Sequence, residues 1–471
     1  MNFGIKWKSE YLLFVSFYII LILVHGYTFG SNDQIDFMPY ARHLQDPGLY
    51  PRDFYIQCMT DHFNERWLLA HFIAFIPYPA WPISFLVIHA VCTLLLIAGL
   101  YQFSHNFIDN KIVSWWVVCI TLIFLYHIHL GGNELYYNMV CGSLIAKAVG
   151  VWALWFSYSS RWTLSAILSG ISIYFHPVAG IQLFMLSIFF AIPPDRWKMT
   201  SLVFILAFPY LYSLYTQLGH GLASKDFVII MKFRNPHHFF PEYFGIKNYL
   251  ILVPVFLSGL YACHHYNKTI FKGLSFLLGG CLVYCILLQI YPSLIIKTQW
   301  FKTTIWVKYF SVLFIMKYLY NSWIQNRMSS GLLSGAMIMI LFVFVFIKRQ
   351  KTQNGEGYFQ LPWNQLSPEK MEAIQYKQST KKDDVFLVPP SMTAFKYYSE
   401  RSQWVDWKAI PHYGPCLEEW KKRIEIAYGL DFQKPGDVNG YIPRSINHLK
   451  MLSKYDPDSL KAMGVQYIVS E

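Results

Sequence analysis

Residues 11–29 read YLLFVSFYIILILVHGYTF, and residues 30–53 continue as GSNDQIDFMPYARHLQDPGLYPRD. The first stretch is almost entirely apolar and has the length that a helix needs to cross a lipid bilayer, about 20 residues. The second stretch is polar and acidic from its first residues onward. This abrupt change predicts a membrane-spanning helix followed by a loop that lies outside the bilayer.

The same apolar character recurs along most of the chain. Hydrophobic residues make up 55% of the 471 residues and charged residues only 14%, whereas soluble domains are about one-quarter charged. We therefore expect an all-α polytopic membrane domain over residues 1–350, with about ten to twelve transmembrane helices. The candidate runs lie near residues 11–29, 66–78, 83–103, 112–130, 139–158, 162–180, 179–193, 199–217, 249–265, 271–291, 304–322 and 331–348.

A proline interrupts one of these runs, at His176-Pro177. Proline removes a backbone donor and breaks a helix. The sequence therefore predicts two half-length helices within residues 162–193.

Residues 351–471 hold a large share of the charged side chains, and we expect them to form a small C-terminal soluble α/β domain. The apolar runs at 384–390 and 464–470 have the length and the flanking proline or glycine of buried strands. Segments around residues 391–400, 417–429 and 444–455 have helical spacing.

The distribution of basic residues predicts which side of the membrane each part faces. If Lys6 and Lys8 stay in the cytoplasm, several short basic loops fall on the same side, as cytoplasmic loops should. The long polar segments and the C-terminal domain then lie outside, where Cys58 and Cys416 both fall. The sequence alone does not say whether these two cysteines pair.

The formal net charge of +12 does not indicate a nucleic-acid partner, because no soluble segment combines a basic patch with stacking aromatic residues. In a membrane protein, excess Lys and Arg serves orientation and contact with anionic headgroups or a lipid-linked phosphate. The expected partner is the lipid bilayer.

Asp33 and Asp36 are the first candidates for chemistry, because a spacing of three places them on one face of a short helix. Two carboxylates at a membrane surface can act as general base or hold a divalent cation such as Mg or Mn. The structural alternative is that Asp33 caps a helix and Asp36 supports its first turn.

A second group of candidates is cationic and could bind a lipid phosphate or pyrophosphate. Arg234, His237 and His238 lie in a long outer segment among aromatic residues. The alternative is an interfacial helix that is anchored by these aromatics. His176 is an isolated histidine that suits either a structural or a phosphate-binding role.

Lys147 lies inside an apolar helix, where a charge is costly and points to function. Lys308 and Lys317 are similar cases in a later helix. Glu134 could pair with Lys147 only if the preceding loop folds back. For lysines near a helix end, the alternative is a side chain that extends to the interface.

The apolar first span and the loop pattern D-x-x-x-x-x-A-x-x-L-x-D-P-x-L-Y-P-x-D resemble the GT-C superfamily of membrane glycosyltransferases, in particular a poorly characterised bacterial branch. Phe233-Arg234-Asn235-Pro236-His237-His238, His176-Pro177 and Gln299-Trp300-Phe301-Lys302 are similar to the same branch. So are Phe386-Leu387-Val388-Pro389-Pro390, Ser399-Glu400-Arg401 and Trp407-Lys408. The acidic motif, Asn-Asp-Gln-x-Asp, departs from the Asp-Glu or Asp-x-Asp of characterised members, which leaves donor class and metal use open.

The resemblance implies a glycosyltransferase that moves a sugar from a polyprenyl-phosphate-linked donor to a glycan, lipid or protein acceptor. The reaction would take place at the outer face of the bacterial cytoplasmic membrane. Asp33 would take the proton of the acceptor hydroxyl, and Asp36 would orient it or help to hold a metal ion. The substrate- or phosphate-binding candidates are Arg234, His237, His238, His176, Lys302, Gln299 and Lys147.

Two other functions remain open from the sequence. A transporter or flippase of lipid-linked material would use Lys147 within a central cavity, and internal inverted repeats, which would favour it, are not evident in the sequence. A catalytically silent membrane scaffold would keep the fold without the chemistry.

Overall fold

The computed structural model describes residues 10–218, 225–324, 329–352, 366–433, 440–455 and 457–469. Lys6 and Lys8, on which the predicted orientation depends, lie outside these described residues. The described chain is mostly helical. Before residue 353 its helices are α1 (Glu10–His25), α2 (Met38–Gln45), α3 (Phe54–Asp61), α4 (Trp67–Ala74), α5 (Trp81–Ile108), α6 (Lys111–Cys119), α7 (Gly142–Tyr158), α8 (Trp162–Phe175), α9 (Pro177–Phe190), α10 (Pro193–Leu218), α11 (Lys225–Arg234), α12 (Pro236–Phe239), α13 (Ile246–Tyr266), α14 (Lys268–Ile290), α15 (Pro292–Ile295), α16 (Thr304–Leu319) and α17 (Ser330–Thr352).

Short turns of tighter or wider helix join or extend these elements. The 3₁₀ turns are Asn32–Asp36, Tyr78–Ala80, Pro241–Tyr243, Ile296–Thr298 and Trp300–Thr303, and π-helical turns at Ile120–Phe124 and Tyr320–Ile324 extend α6 and α16.

Four helical segments in the described part of the chain are long and apolar enough to cross a membrane: Tyr78–Ile108, Pro193–Thr216, Ile246–Tyr266 and Lys268–Ile290. Shorter apolar helices of 10–17 residues lie at Glu10–His25, Lys111–Phe124, Trp162–Phe175, Pro177–Phe190 and Gly331–Phe344. The chain is therefore a mostly helical membrane protein. The count of ten to twelve spans stays a prediction, because many of the apolar runs form helices shorter than the thickness of a bilayer requires.

The expected break within residues 162–193 is confirmed. Helix α8 ends at Phe175 and α9 begins at Pro177. His176 between them has an extended backbone, and its Nδ1 accepts a hydrogen bond from the Ala179 amide at 3.2 Å. The imidazole thus caps α9 at the point where the proline prevents a continuous helix.

Two helices, α7 and α16, form the buried centre of the membrane region. In α16 every residue from Thr304 to Phe314 is buried. By contrast, helices such as α10 and α13 expose large apolar side chains, for example Ile205 at 70% and Leu257 at 63%. Extensive apolar exposure of this kind fits contact with lipid tails.

The C-terminal region combines helices with a small parallel sheet. Its elements are α18 (Pro368–Ser379), β1 (Val385–Leu387), α19 (Phe395–Ser399), β2 (Ser402–Gln403), α20 (Gly414–Tyr428), α21 (Tyr441–Tyr455), α22 (Pro457–Ala462) and β3 (Tyr467–Ile468). Strand β1 lies in the centre, with Phe386 in register with Gln403 on one side and with Tyr467 on the other. Both strands that the sequence predicts are present, and β2 is an additional short one.

This C-terminal region is fastened to the loop that follows α1. Cys58 of α3 and Cys416 of α20 form a disulfide with a Cα–Cα distance of 6.2 Å. The buried Lys396 ammonium lies 3.0 Å from Asp53 Oδ1 and 3.2 Å from Asp406 Oδ2. The fold thereby holds the C-terminal region directly over the first polar loop.

Candidate functional site

A cavity of about 790 Å³ lies where the polar loops of the membrane region meet the C-terminal region. Most of the candidates from the sequence line it, although they come from distant parts of the chain. They are Asp33, Asp36, His176, Arg234, His237, His238, Gln299 and Lys302. The C-terminal region contributes Lys408, Ile410 and His412 to the same wall.

The two aspartates lie on a single 3₁₀ turn, Asn32–Asp36. In such a turn residues three apart are aligned along one face, as the spacing predicts. The N-cap position belongs to Ser31, whose side chain makes no capping hydrogen bond, so the alternative in which Asp33 caps a helix is wrong. Asn32 has φ of +53°, in the left-handed region that Asn tolerates better than most residues.

Asp33 is open to the cavity, with 54% of its side chain exposed, and it forms an ion pair with the C-terminal region. Lys408 Nζ lies 3.1 Å from Asp33 Oδ1. Withdrawal from bulk water acts to raise the pKa of Asp33, but Lys408, Arg66 and Lys302 outweigh it and leave the pKa below its ordinary value. Asp33 is therefore a stable carboxylate anion.

Asp36 is more deeply buried and has a different partner. Arg66 Nη2 lies 3.1 Å from Asp36 Oδ2, whereas Asp36 Oδ1 is buried without a hydrogen-bond partner. The Tyr55 hydroxyl donates to the Asp36 carbonyl at 2.8 Å and fixes the turn. Burial raises the pKa of Asp36, although Arg66 and Lys408 act to lower it.

The two carboxylates do not fit a divalent cation. Each already has a cationic side chain at hydrogen-bond distance, Lys408 on Asp33 and Arg66 on Asp36. Among the described residues, no group of three or more His, Cys, Asp or Glu side chains is placed to bind a metal ion. Hard cations such as Mg²⁺ need oxygen ligands in larger number than this turn supplies.

Lys302 lies on the 3₁₀ turn Trp300–Thr303, just before α16. Asn133 Nδ2 donates to the Lys302 carbonyl at 3.0 Å, and Gln182 Nε2 donates to the Gln299 carbonyl at 3.3 Å. Burial lowers the pKa of Lys302 to about 8, although Asp33 and Glu134 act to raise it. These hydrogen bonds to backbone carbonyls fix the turn that carries Lys302, and its side chain lines the cavity.

His237 and His238 lie on the short helix α12, with ring centroids 4.2 Å apart. Their pKa values are lowered, first by burial and also by neighbouring positive charges such as Lys302. His238 Nδ1 lies 3.4 Å from the Gly131 carbonyl oxygen. Gly132 has φ of +57°, and a Cβ there would lie 2.3 Å from His238 Nδ1, so glycine is needed for this close approach.

Arg234 faces the C-terminal region. Its Nη2 donates to the Lys408 carbonyl at 3.0 Å, and its guanidinium lies 5.1 Å from the centre of the Trp407 ring. Nη1 is buried without a hydrogen-bond partner. Arg234 therefore anchors the segment that carries Lys408, and its Nη1 group remains able to donate a hydrogen bond to a bound molecule.

Lys147 does not line the cavity, in contrast to the expectation that it binds substrate there. It is 1% exposed, and its Nζ donates to Asn133 Oδ1 at 2.5 Å, to the Glu134 carbonyl and to the Tyr137 hydroxyl at 3.3 Å. The loop that carries Glu134 does fold back over Lys147, as the predicted pairing requires. The contact, however, is made by the Glu134 backbone carbonyl and not by its carboxylate.

Lys308 holds the same loop from the other central helix. Its Nζ donates to the carbonyls of Leu125 and Ile128 at 2.7 and 2.9 Å. The two buried lysines donate to backbone and amide oxygens of this loop in the protein interior. They form the floor beneath the loop that carries Gly132 and Glu134 to the cavity.

Several ionisable side chains at the cavity were not selected from the sequence. His412 Nδ1 lies 2.8 Å from Glu65 Oε1, and Arg66 Nη1 lies 2.5 Å from the same oxygen. His129 Nε2 lies 3.2 Å from Glu134 Oε1. The adjacent charges Glu65-Arg66 at the edge of an apolar run were the one local signal that could have identified part of this set.

Comparison with known proteins gives little further guidance. Residues 372–427 match a family that is described only as a domain of unknown function, DUF6798. This segment covers the part of the C-terminal region that carries Lys408 and His412. No curated protein matches the chain.

Proposed function

We propose that this protein is a GT-C-type membrane glycosyltransferase. It transfers a sugar from a polyprenyl-phosphate-linked donor to a hydroxyl of a glycan, lipid or protein acceptor. The observation that carries the proposal is the convergence of Asp33 and Asp36 with Lys302, His238 and other cationic or imidazole groups on one cavity. A separate surface carboxylate or a dispersed set of cations would not support this chemistry.

The cavity has the two kinds of group that sugar transfer from a phosphate requires. A carboxylate, Asp33 first and Asp36 second by the sequence prediction, orients the acceptor hydroxyl and takes its proton as the new bond forms. Lys302, Arg234, His176, His237 and His238 provide positive charge and donors for the leaving phosphate, and Gln299 lies beside them. Electrostatic stabilisation of this kind is commonly the largest contribution to catalysis.

The proposal includes a topology in which residues 1–350 form the GT-C-like membrane domain, with ten to twelve spans, and residues 351–471 lie outside a bacterial cytoplasmic membrane. The pairing of Cys58 with Cys416 supports an extracytoplasmic position, because disulfides persist in oxidising compartments. A cysteine-reactive reagent that cannot cross the membrane would label these residues, after reduction, in intact spheroplasts. If labelling required prior lysis, the orientation would be the reverse.

The two rival functions have less support. A transporter or flippase would use Lys147 in a central pathway, but this side chain is occupied by the loop above it. Asp36 Oδ1 and Arg234 Nη1 are buried at the cavity without hydrogen-bond partners, which is costly. A catalytically silent scaffold would have no reason to keep such atoms, whereas a binding site would use them.

The test is mass spectrometry of surface glycans and polyprenyl-linked sugars from cells with and without the chain. We expect a lipid-linked sugar to accumulate and a glycoconjugate to disappear in cells that lack the chain. Asp33→Asn and Asp36→Asn should fail to restore the glycoconjugate although they insert and fold. An unchanged set of glycoconjugates in the deletion cells, under conditions where the wild-type chain is made, would reject the proposal.

A further inference from the structure

The cavity wall contains an imidazole and a carboxylate in direct contact, from opposite ends of the sequence. His412 Nδ1 lies 2.8 Å from Glu65 Oε1, and both residues line the cavity. Arg66 Nη1 contacts the same carboxylate and holds it in place. Nδ1 lies next to the carboxylate, and His412 Nε2, the other ring nitrogen, makes no hydrogen bond within the described residues.

The backbone around His412 is fixed by packing on both sides. Alternate residues Lys408, Ile410 and His412 line the cavity, as in an extended segment. The Tyr413 ring stacks on His62 at a centroid distance of 3.8 Å. Four residues beyond His412, Cys416 is bonded to Cys58 of the first outer loop. On the other side Arg234 Nη2 donates to the Lys408 carbonyl at 3.0 Å, so the backbone is held on both sides of His412.

The two aspartates are less suited to accept a proton than their position suggests. Lys408 is bound to Asp33 and Arg66 is bound to Asp36. The cation on Asp33 favours its carboxylate anion and so weakens it as a base, and Arg66 occupies one of the two carboxylate oxygens of Asp36. His412 has the opposite arrangement, because a carboxylate behind an imidazole fixes the orientation of the ring and leaves the far nitrogen facing the reaction.

We propose that His412 accepts the proton of the acceptor hydroxyl and that Glu65 is its positioning residue. This inference rests on the proposed glycosyl transfer but assigns the proton transfer to His412 in place of Asp33, which keeps the role of orienting the hydroxyl. The C-terminal region would then be part of the catalytic centre and not only a cover for it.

The step balances without a further reagent. The acceptor oxygen forms a bond to the anomeric carbon of the sugar while its proton passes to His412 Nε2. The bond between the anomeric carbon and the phosphate oxygen breaks, and its electron pair leaves with the phosphate. Glu65 stabilises the imidazolium that forms, and Asp33 and Asp36 orient the hydroxyl through hydrogen bonds.

The test uses membrane vesicles that contain the full chain and, as probe, the polyprenyl-linked sugar fraction extracted from cells that lack it. Consumption of the donor is followed by mass spectrometry over a range of pH. We expect His412→Gln to slow it by about 10²–10⁴-fold, the usual contribution of a general base. His448→Gln is the matched control, because His448 lies in the same region, bonded to the Ile426 carbonyl and away from the cavity.

Glu65→Gln tests the positioning role separately. It should slow the reaction less than His412→Gln and change the pH–rate profile, because the carboxylate that contacts the imidazole and orients it is gone. A purely structural glutamate would change the amount of folded chain but not the profile. Formation of the Cys58–Cys416 bond, seen as faster migration in a non-reducing gel, reports folding of each variant.

The possible outcomes separate the two proposals. If wild-type vesicles consume the donor no faster than vesicles without the chain, the glycosyltransferase proposal fails. If wild-type vesicles are active and His412→Gln is equally active, the role of His412 is overturned and the transferase stands. If His412→Gln does not form the disulfide, the profile of Glu65→Gln decides, and an unchanged profile overturns the inference.

Discussion

Lys408 Nζ lies 3.1 Å from Asp33 Oδ1, although 375 residues separate the two in sequence. The C-terminal region therefore places a cation in contact with Asp33, the first candidate catalytic residue predicted from the sequence. The contact lies at the cavity and is partly open to solvent, with the lysine side chain 30% exposed. Its importance should consequently lie in function more than in stability.

Replacement of Lys408 by Met should leave stability nearly unchanged and lower activity. A partly exposed ion pair contributes up to about 1 kcal/mol to the free energy of unfolding. Loss of a cation at the reacting centre commonly costs about 10²-fold in rate. Thermal unfolding in detergent and the vesicle assay measure the two effects. Lys408→Arg should keep much of the activity.

Lys382→Met is the control for this change. Lys382 belongs to the same region and pairs with Asp46 at 3.6 Å, but both side chains are highly exposed and away from the cavity. It should behave as wild type in both assays. Equal activity of Lys408→Met and Lys382→Met would remove Lys408 from the site.

Gly132→Ala should disturb His238 and reduce activity. The new Cβ would lie 2.3 Å from the imidazole, and alanine is also disfavoured at φ of +57°. The backbone effect alone costs about 1 kcal/mol. Gly245→Ala separates the two effects, because Gly245 has φ of +81° but no atom within 4 Å of its added Cβ.

The expected result is a loss of thermal stability in both glycine variants, larger in Gly132→Ala because of the clash with His238, and a loss of donor consumption only in Gly132→Ala. The same rate in Gly132→Ala and Gly245→Ala would mean that the position of His238 does not matter for turnover.

The sequence predicted those features of the fold that depend on local pattern. Hydropathy located the apolar helices, the His176-Pro177 break separated α8 from α9, and short apolar runs predicted β1 and β3. The candidates at the cavity were found because charges and imidazoles are rare among apolar runs. Each of these signals is contained within a few neighbouring residues.

What the sequence missed depends on contacts between distant segments. Asp33 with Lys408, Glu65 with His412 and the Cys58–Cys416 bond each join residues that are more than 300 positions apart. The sequence predicted Lys147 as a substrate ligand, whereas its ammonium contacts oxygens of the loop, because a buried charge can be satisfied by a ligand or by loop carbonyls and spacing does not distinguish them. Only the packed structure decides such cases.

Lys396→Met should be more destabilising than Lys408→Met. Lys396 is 2% exposed and lies between Asp53 and Asp406, which are 0% and 5% exposed. Removal of the lysine leaves two buried carboxylates without their cation, which costs about 3–5 kcal/mol. The apparent Tm in detergent should fall well below that of Lys408→Met.

A triple variant, Lys396→Met with Asp53→Asn and Asp406→Asn, is the companion to this change. With the buried charges removed together, much of the lost stability should return. If Lys396→Met unfolded at the wild-type temperature, the buried cluster would not be holding the C-terminal region on the first outer loop.

Glu65 should make the stability of the folded chain depend on pH in the acid range. Burial acts to raise the pKa of Glu65, but His412 and Arg66 outweigh it and hold the pKa well below the ordinary value of 4.5. A carboxyl with a lowered folded-state pKa stabilises the fold above its unfolded pKa, and this stability is lost as the pH falls through the folded-state pKa. The apparent Tm of the wild type should therefore drop as the pH is lowered from about 5.

Glu65→Gln should start from a lower Tm near neutral pH and lose less of it on acidification, because the amide does not titrate. Glu418→Gln is the control, since Glu418 is exposed on α20 and should follow the wild-type curve. Thermal unfolding of the three proteins at a series of pH values measures the difference in slope. Parallel curves for wild type and Glu65→Gln would mean that the carboxylate makes no net ion pair with His412 and Arg66 in the folded chain, which would also remove the support that Glu65 gives to His412.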